Sequence, residues 1–219
     1  MQLYPIEDHS WVAIDIHHNL GEQATLSSNK IRLTHKAGSM YCRQLLKKLQ
    51  QALNVTGELM DTNFPYHFIT ADGYTWYVSF SHSRQHAAVL ISTYTNIGID
   101  VEDSAISHQV ASRFFSPHEY QWLNQKPAVN QAVLRNLLWR LKECAIKTHQ
   151  HADKQLIKEL KHDVLDELGE EVINQLIGAD EINAKDKAKD KPIQCVQTDY
   201  KIIGNFNSQP CSFIIVTLK

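Results

Sequence analysis

Several things are missing from this 219-residue chain, and each absence closes off a class of function. No run approaches the roughly 20 apolar residues of a membrane-spanning helix, so no membrane association is expected. The opening residues, MQLYPIEDHSWVAIDIHHN, have no basic start, no long apolar core and no small-residue cleavage site, and so do not read as a secretory signal. The four cysteines, Cys42, Cys144, Cys195 and Cys211, lack the close spacing of a metal-binding set. They read as reduced thiols of a cytoplasmic protein, with Cys144 a small residue on the apolar face of a helix. A net charge of −2 argues against the broad basic surface that grips nucleic acid, while leaving room for a local basic pocket around a phosphorylated ligand. No internal repeat is visible. What remains is an ordinary globular composition, 43% hydrophobic, sufficient for one large domain or two of roughly 100 residues.

The order of elements predicts an α+β fold. A first strand is expected over 11–16, and Ser27-Ser28 offer a helix cap before Asn29. Cys42, Leu45, Leu46, Leu49 and Leu53 recur at spacings of three and four, which predicts an amphipathic helix over 40–53. Residues 54–73 read as a connection with a short strand. Strands follow over 74–80, 87–94 and 97–101, with Ser81-His82-Ser83 in the turn between the first two. Then the period changes. Ser116-Pro117-His118-Glu119 carries a helix start: Ser at the cap, Pro at the first helical position, Glu three after the cap. A helix over 132–149 places Leu134, Leu138, Leu141, Ala145 and Thr148 on one side. A further helical stretch is expected over 152–178, then a solvated Asp- and Lys-rich linker over 179–192, then strands over 194–203 and 212–218.

Two acidic clusters carry the chemistry. On the strand 97–101, Asp100 and Glu102 are two apart and point to one face, where their repulsion is relieved by a hard cation such as magnesium or manganese. Taken alone they also fit a solvated edge strand. On the helix over 132–149, Trp139, Glu143 and Lys147 share a face at spacings of four. Taken alone that is more often a solvent-facing ion pair worth about 0.3–0.5 kcal/mol, and Trp139 is more often core than function. Glu119 is accounted for by the capping box, and His82, between two serines, is one candidate to meet a phosphate.

The ordered set Ser81-His82-Ser83, Gly98-Ile99-Asp100-Val101-Glu102, Phe115-Ser116-Pro117-His118-Glu119 and Trp139-x-x-Lys142-Glu143-x-x-x-Lys147 resembles the 4′-phosphopantetheinyl transferases. Its length is similar to the larger, surfactin-synthetase-activating type, a pseudo-dimer of two similar α/β lobes in one chain. The resemblance implies an N-terminal lobe over 1–96 and a C-terminal lobe over 97–219, with a helical insertion over 152–191. It implies transfer of the phosphopantetheine arm of coenzyme A to a serine of an apo acyl or peptidyl carrier protein, releasing 3′,5′-ADP. Asp100, Glu102 and Glu143 would be magnesium ligands (manganese is the substitute). Glu119 would be the general base, and Lys147 the pyrophosphate contact and a catalytic group. Ser81 and His82 would hold the nucleotide end of coenzyme A, and Asp100, Lys142, Arg43 and Lys36 complete the implied coenzyme contacts. By the same analogy the protein is a cytoplasmic monomer serving fatty-acid, polyketide, siderophore or other nonribosomal-peptide carriers.

The N-terminal half departs from the pattern. Lys30, Arg32, Lys36 and Arg43 are the available bases, and Asn63-Phe64-Pro65-Tyr66-His67 stands where a Gly-Lys-Pro segment is usual. After Lys147, a glycine-containing turn is replaced by Thr148-His149-Gln150-His151. Two other readings therefore stay open: a non-catalytic member that binds coenzyme A or a carrier protein, and an unrelated magnesium-dependent phosphoesterase.

Overall fold

The computed structural model describes residues 1–7, 9–16, 35–149, 163–171, 173–174, 194–196, 200–208 and 211–218; for 7, 35–36, 149, 167 and everything from 194 onward it describes the backbone alone. The fold is mixed helix and sheet, with two antiparallel sheets. The first comprises β1 (Gln2–Glu7), β2 (Ser10–Ile16), β3 (His67–Ile69), β4 (Thr75–His82) and β5 (His86–Ser92), in the order β1-β2-β5-β4-β3. The second comprises β6 (Ile97–Glu102), β7 (Gln194–Val196), β8 (Tyr200–Ser208) and β9 (Cys211–Leu218), in the order β6-β9-β8-β7. Helix α1 (His35–Leu53) covers the first sheet. Helices α2 (His108–Phe114), α3 (Pro117–Asn124), α4 (Ala128–His149) and α5 (Val164–Leu168) lie between β6 and β7 in the chain.

The apolar pattern explains the layers. Along α1 the stripe Cys42, Leu45, Leu46 and Leu49 is buried against Ala87, Val89 and Ile91 of β5 and Val78 of β4. The alternate residues of β5, Ala88 and Leu90, point the other way and meet Ile97, Ile99 and Val101 of β6. Every residue of β5 is therefore buried, and the strand reads as a continuous apolar run although its neighbours are antiparallel. A third core forms where Leu134, Leu137, Leu138 and Leu141 of α4 pack on Phe115, Trp122 and Leu123, and on Val164, Leu165 and Leu168 of α5. Among the described residues no helix is long and apolar enough to cross a membrane.

The two sheets are stitched by serine. Strand β6 is an edge of its own sheet, bonded to β9 on one side only. Its backbone N–H groups at Ile99 and Val101 donate to Ser79 Oγ and Ser81 Oγ of β4, both at 3.2 Å. An unpaired buried N–H costs about 1–3 kcal/mol, and these hydroxyls remove that cost.

Helix α4 approaches β6 on the opposite face. A Cβ added at Gly98 would lie 2.5 Å from the backbone oxygen of Cys144 and 3.1 Å from its Cα. Only a residue without a side chain admits the helix backbone this closely.

The structure corrects several boundaries. Ser81 and His82 are not in a turn; β4 continues through them, with His82 paired to Ala87, and Ser83 N–H closes the turn on the His86 carbonyl at 2.9 Å. The stretch over 152–178 is not one helix. Asp163 caps a fresh start, its carboxylate accepting from the N–H groups of Leu165 and Asp166, and Gly169 at φ 79° ends α5. The strand expected over 194–203 is divided between the antiparallel β7 and β8. α4 begins at Ala128, after Pro127, and α2 is an additional helix capped by Ser107. The Ser27-Ser28 cap, the linker over 179–192 and most of the 152–191 stretch lie outside the described residues.

Gly98→Ala should lower stability by roughly 1–3 kcal/mol, because backbone rather than a flexible side chain must yield. A urea midpoint within error of the unsubstituted protein would show that α4 is not held so tightly.

Candidate active site

The α4–β6 contact brings the two acidic clusters together. Asp100 and Glu102 share the β6 face that carries Gly98, and Glu143 and Lys147 flank Cys144 on α4. Lys147 Nζ donates to Asp100 Oδ1 at 3.0 Å and to the Ile99 carbonyl at 2.7 Å. Asp100 Oδ1 also accepts from Ser81 Oγ at 2.8 Å. Ser81 thus accepts from the Val101 N–H with the same oxygen that orients Asp100, and its side chain is buried. Its hydroxyl is directed at the Asp100 carboxylate. Glu102 Oε1 accepts from the backbone N–H groups of Asp103 and Ser104, at 3.0 and 2.9 Å.

Charge accumulates here. Burial pushes Glu143 above the ordinary carboxylate range; Lys147 pulls it back and the Asp100 charge pushes it further up. Burial likewise raises Glu102, with the charges of Asp100 and Asp103 adding to the effect and the two backbone N–H groups opposing it. Burial works against the Lys147 ammonium, but Asp100 and Glu143 outweigh it and raise its pKa. Asp100 and Glu143 act on the Lys147 ammonium, and the Asp100 charge also reaches Glu102, so the cluster gathers negative charge in a partly desolvated place. An all-oxygen donor set of this charge fits a hard divalent cation. The three carboxylates are not drawn up as adjacent ligands, however. Among the described residues, the trio whose ligand atoms all lie within 4.8 Å of one another is His118, Asp163 and Asp166, where α3 and α5 begin. There His118 Nδ1 stands 3.3 Å from Asp163 and 3.1 Å from Asp166, and Asp163 also bonds the Ser116 hydroxyl.

Glu119 and Lys142 are placed differently from the role the motif suggests. Glu119 has no exposed surface and Lys142 has 1%. Lys142 Nζ reaches both carboxylate oxygens, at 2.9 and 2.7 Å. The same oxygens accept from Ser116 N–H at 2.8 Å and Val164 N–H at 2.9 Å. With the Ser116 hydroxyl accepting from Glu119 N–H, the capping box is complete. Burial raises the Glu119 carboxyl while Lys142 and the backbone donors pull against it. The pair ties the start of α3 to α4 and to the start of α5. Lys142 is therefore a counter-charge inside the protein, not a group presented to a coenzyme.

The remaining expected contacts are scattered. Arg43 is engaged by Asp61, at 2.6–2.7 Å, and by Ser39, with its guanidinium over the Phe80 ring. The His82 ring lies against α1 near its N-terminal end, where a Cβ on Gly38 would come within 2.6–2.8 Å of ring atoms. The Lys36 side chain lies outside the described residues. Trp139 packs edge-on against Phe114 at 5.6 Å. A hollow of about 610 Å³ at the other end of the first sheet, lined by Asn54, Thr70, Tyr74 and Trp76 among others, contains none of these residues and has no part in this chemistry.

Residues 96–200 match the family model of the 4′-phosphopantetheinyl transferase superfamily. The matched stretch is just under half of the chain, begins immediately before β6 and ends at the start of β8, so it contains Asp100, Glu102, Glu119, Glu143 and Lys147. The first sheet with Ser81 and His82, and α1 with Arg43, lie outside it. No curated protein matches the chain.

Sequence reasoning missed Ser79 and Asp103. The Ser79-x-Ser81 alternation on a strand was the available signal for the first. Asp103 directly follows the acidic motif, and nothing local distinguishes it from a surface turn residue.

Glu119→Gln should lose roughly 3–5 kcal/mol, because Lys142 is left buried with no opposite charge. A combined Glu119→Gln, Lys142→Met variant, which removes the stranded ammonium and keeps an oxygen for the backbone donors of Ser116 and Val164, should recover much of that. Denaturant unfolding of the three proteins checks both, and a Gln variant as stable as the parent would mean that Lys142 finds another partner.

Proposed function

We propose that the chain moves the phosphopantetheine arm of coenzyme A to a serine hydroxyl of an apo acyl or peptidyl carrier protein, with release of 3′,5′-ADP. The observation that carries this reading is the Asp100–Glu143–Lys147 cluster at the α4–β6 contact, inside the stretch that matches the superfamily. The serine oxygen attacks the phosphorus that bears the pantetheine arm. A new O–P bond forms as the bond to the bridging pyrophosphate oxygen breaks. Asp100, Glu102 and Glu143 would hold magnesium, or manganese in its place. When bound, the ion supplies charge neutralisation at the pyrophosphate. Lys147, bonded to Asp100 at 3.0 Å, would present its ammonium to the bridging oxygen of the leaving group.

His82, beside the N-terminal end of the 19-residue α1, would take the nucleotide end, since a helix N-terminus favours anions. Arg43 would exchange Asp61 for a phosphate, and Lys36, in the first turn of α1, is the further candidate coenzyme contact. Glu119 serves as the base only once Lys142 releases it; otherwise it is a positioning residue for α3 and α5. That burial is the one observation favouring the second reading, a member that binds coenzyme A or a carrier without turnover. The two-lobe arrangement, with a boundary near 96/97, is supported by one long helix backing each sheet, α1 on the first and α4 against β6. The larger, single-chain type and a monomer go with it, as does a helical insertion over 152–191, of which α5 joins the α3–α4 core.

Intact-mass measurement of apo fatty-acid, polyketide and peptidyl carriers, incubated with the protein, coenzyme A and magnesium, should show the gain of one phosphopantetheine. Asp100→Ala should abolish it while melting cooperatively. Coenzyme binding without any mass gain would select the non-catalytic reading.

A second expectation concerns pH. Glu102 and Glu143 have raised folded-state pKa values, so the stability they contribute is present below about pH 4.5 and is lost as pH rises through those values. Magnesium at about ten times its Kd should offset that loss and raise Tm by about 3–6 °C near pH 7.5. The gain should shrink toward pH 5, where protons compete. A pH-independent magnesium effect would remove these carboxylates from the ion site.

A further inference from the structure

Asp103 directly follows β6, and its side chain is almost as buried as the core, with 6% exposed. Its Oδ2 accepts from Ser83 Oγ at 2.9 Å and Gln85 N–H at 2.7 Å, and stands 3.2 Å from Nδ1 of His86, which is 1% exposed. Ser83 and Gln85 belong to the turn between β4 and β5, immediately after His82, and His86 opens β5. Burial alone would push this carboxyl up, but the bonds from His86, Ser83 and Gln85 hold it well below the usual carboxylate range.

The backbone of the same residue governs Glu102. Glu102 Oε1 is held by the N–H groups of Asp103 and Ser104, so the path of this peptide sets where the carboxylate points. Beyond it, Ile106 is pinned to α4: its N–H donates to Asn136 Oδ1 at 2.7 Å and its carbonyl accepts from Arg135 Nε at 3.0 Å. The connection from β6 to α2 is thus fixed to the first sheet at Asp103 and to α4 at Ile106, with Glu102 oriented at its start.

We propose that Asp103 is a positioning residue that locks the β4–β5 turn to the end of β6 and so sets the His82 end of β4 in register with the Glu102 carboxylate. The inference rests on the transferase reading for what those two groups hold. Removing Asp103 leaves the ladder pairs Ser81–Ala88 and His82–Ala87 in place, so alignment between the sheets, not the sheet itself, is what the residue supplies.

The test compares Asp103→Ala, Asp103→Asn and Ser83→Ala with the parent. Manganese binding is read from the electron paramagnetic resonance of the free ion, coenzyme A binding by calorimetry, and transfer as separate kcat and KM. In Asp103→Ala, manganese and coenzyme A should each bind about tenfold more weakly, as for other residues that orient a metal ligand. The loss should appear in KM more than in kcat. Asp103→Asn keeps an oxygen for Ser83 and Gln85 and should recover most of the affinity, while Ser83→Ala should fall between the two. A variant series that melts at lower temperature yet keeps both affinities within about twofold would overturn the proposal, because that is what a purely structural residue does. Should Asp103→Ala not fold, Ser83→Ala alone decides: unchanged affinities overturn the proposal and a joint loss supports it. A parent protein that binds neither manganese nor coenzyme A would bring down the transferase reading itself, a distinct result from affinity that survives in the variants.

Discussion

The contact between the α4 backbone and Gly98 of β6 is the constraint on which the site depends. A side chain at residue 98 would hold helix and strand apart, and Lys147 would no longer reach the Ile99 carbonyl and Asp100. Because the approach is backbone to strand, Glu143 and Lys147 straddle it along the helix axis and Asp100 lies between the two elements. The charges are held by two lattices of hydrogen bonds and by the packing of Ile97, Ile99 and Val101 on the first sheet. Burial raises Glu102 and Glu143, and the cluster has little freedom to relax the repulsion from Asp100 that adds to it.

Helix α4 handles two lysines in opposite ways. Lys142 and Lys147 are five residues apart, about 140° around the helix. One turns toward the helical layer and meets Glu119 in a sealed pair; the other turns toward β6 and meets Asp100 at the edge of solvent. The first pair has every oxygen lone-pair direction supplied by a donor, and its work is to hold α3, α4 and α5 together. The second is short of positive charge. The same helix makes a structural bolt on one side and a carboxylate-rich corner on the other.

Much of this was legible in the sequence because it is local. The stripe from Cys42 to Leu49, the capping box at Ser116 and the buried side of α4 all follow from spacings of three and four, and each stands where the spacing put it. The α+β character and the acidic residues of β6 and α4 were readable for the same reason. The partners of Ser81 and of Glu119 were not, since Asp100 is 19 residues from the first and Lys142 is 23 from the second. Periodicity also failed over 152–178. An apolar stripe can be carried by two short helical pieces, and the single positive φ at Gly169 that separates pieces leaves no trace in hydrophobic spacing. Ser81 and His82 were set in a turn because Ser-His-Ser looks like one. A serine on the strand's inner face, bonding a neighbouring edge, has the same letters.

The serine stitches between β4 and β6 bear on the order in which the chain assembles. Asp100 lies 19 residues from Ser81, whereas its ladder partner Ile214 on β9 is 114 residues downstream. Closing the longer loop costs about 1.6 kcal/mol more in chain entropy, and it cannot begin until the later segment exists. Strand β6 is thus able to settle on the first sheet, with its amides already satisfied by Ser79 and Ser81, well before it acquires a partner in its own. The strand that carries Asp100 and Glu102 can be placed first by hydroxyl groups and sealed later by a sheet.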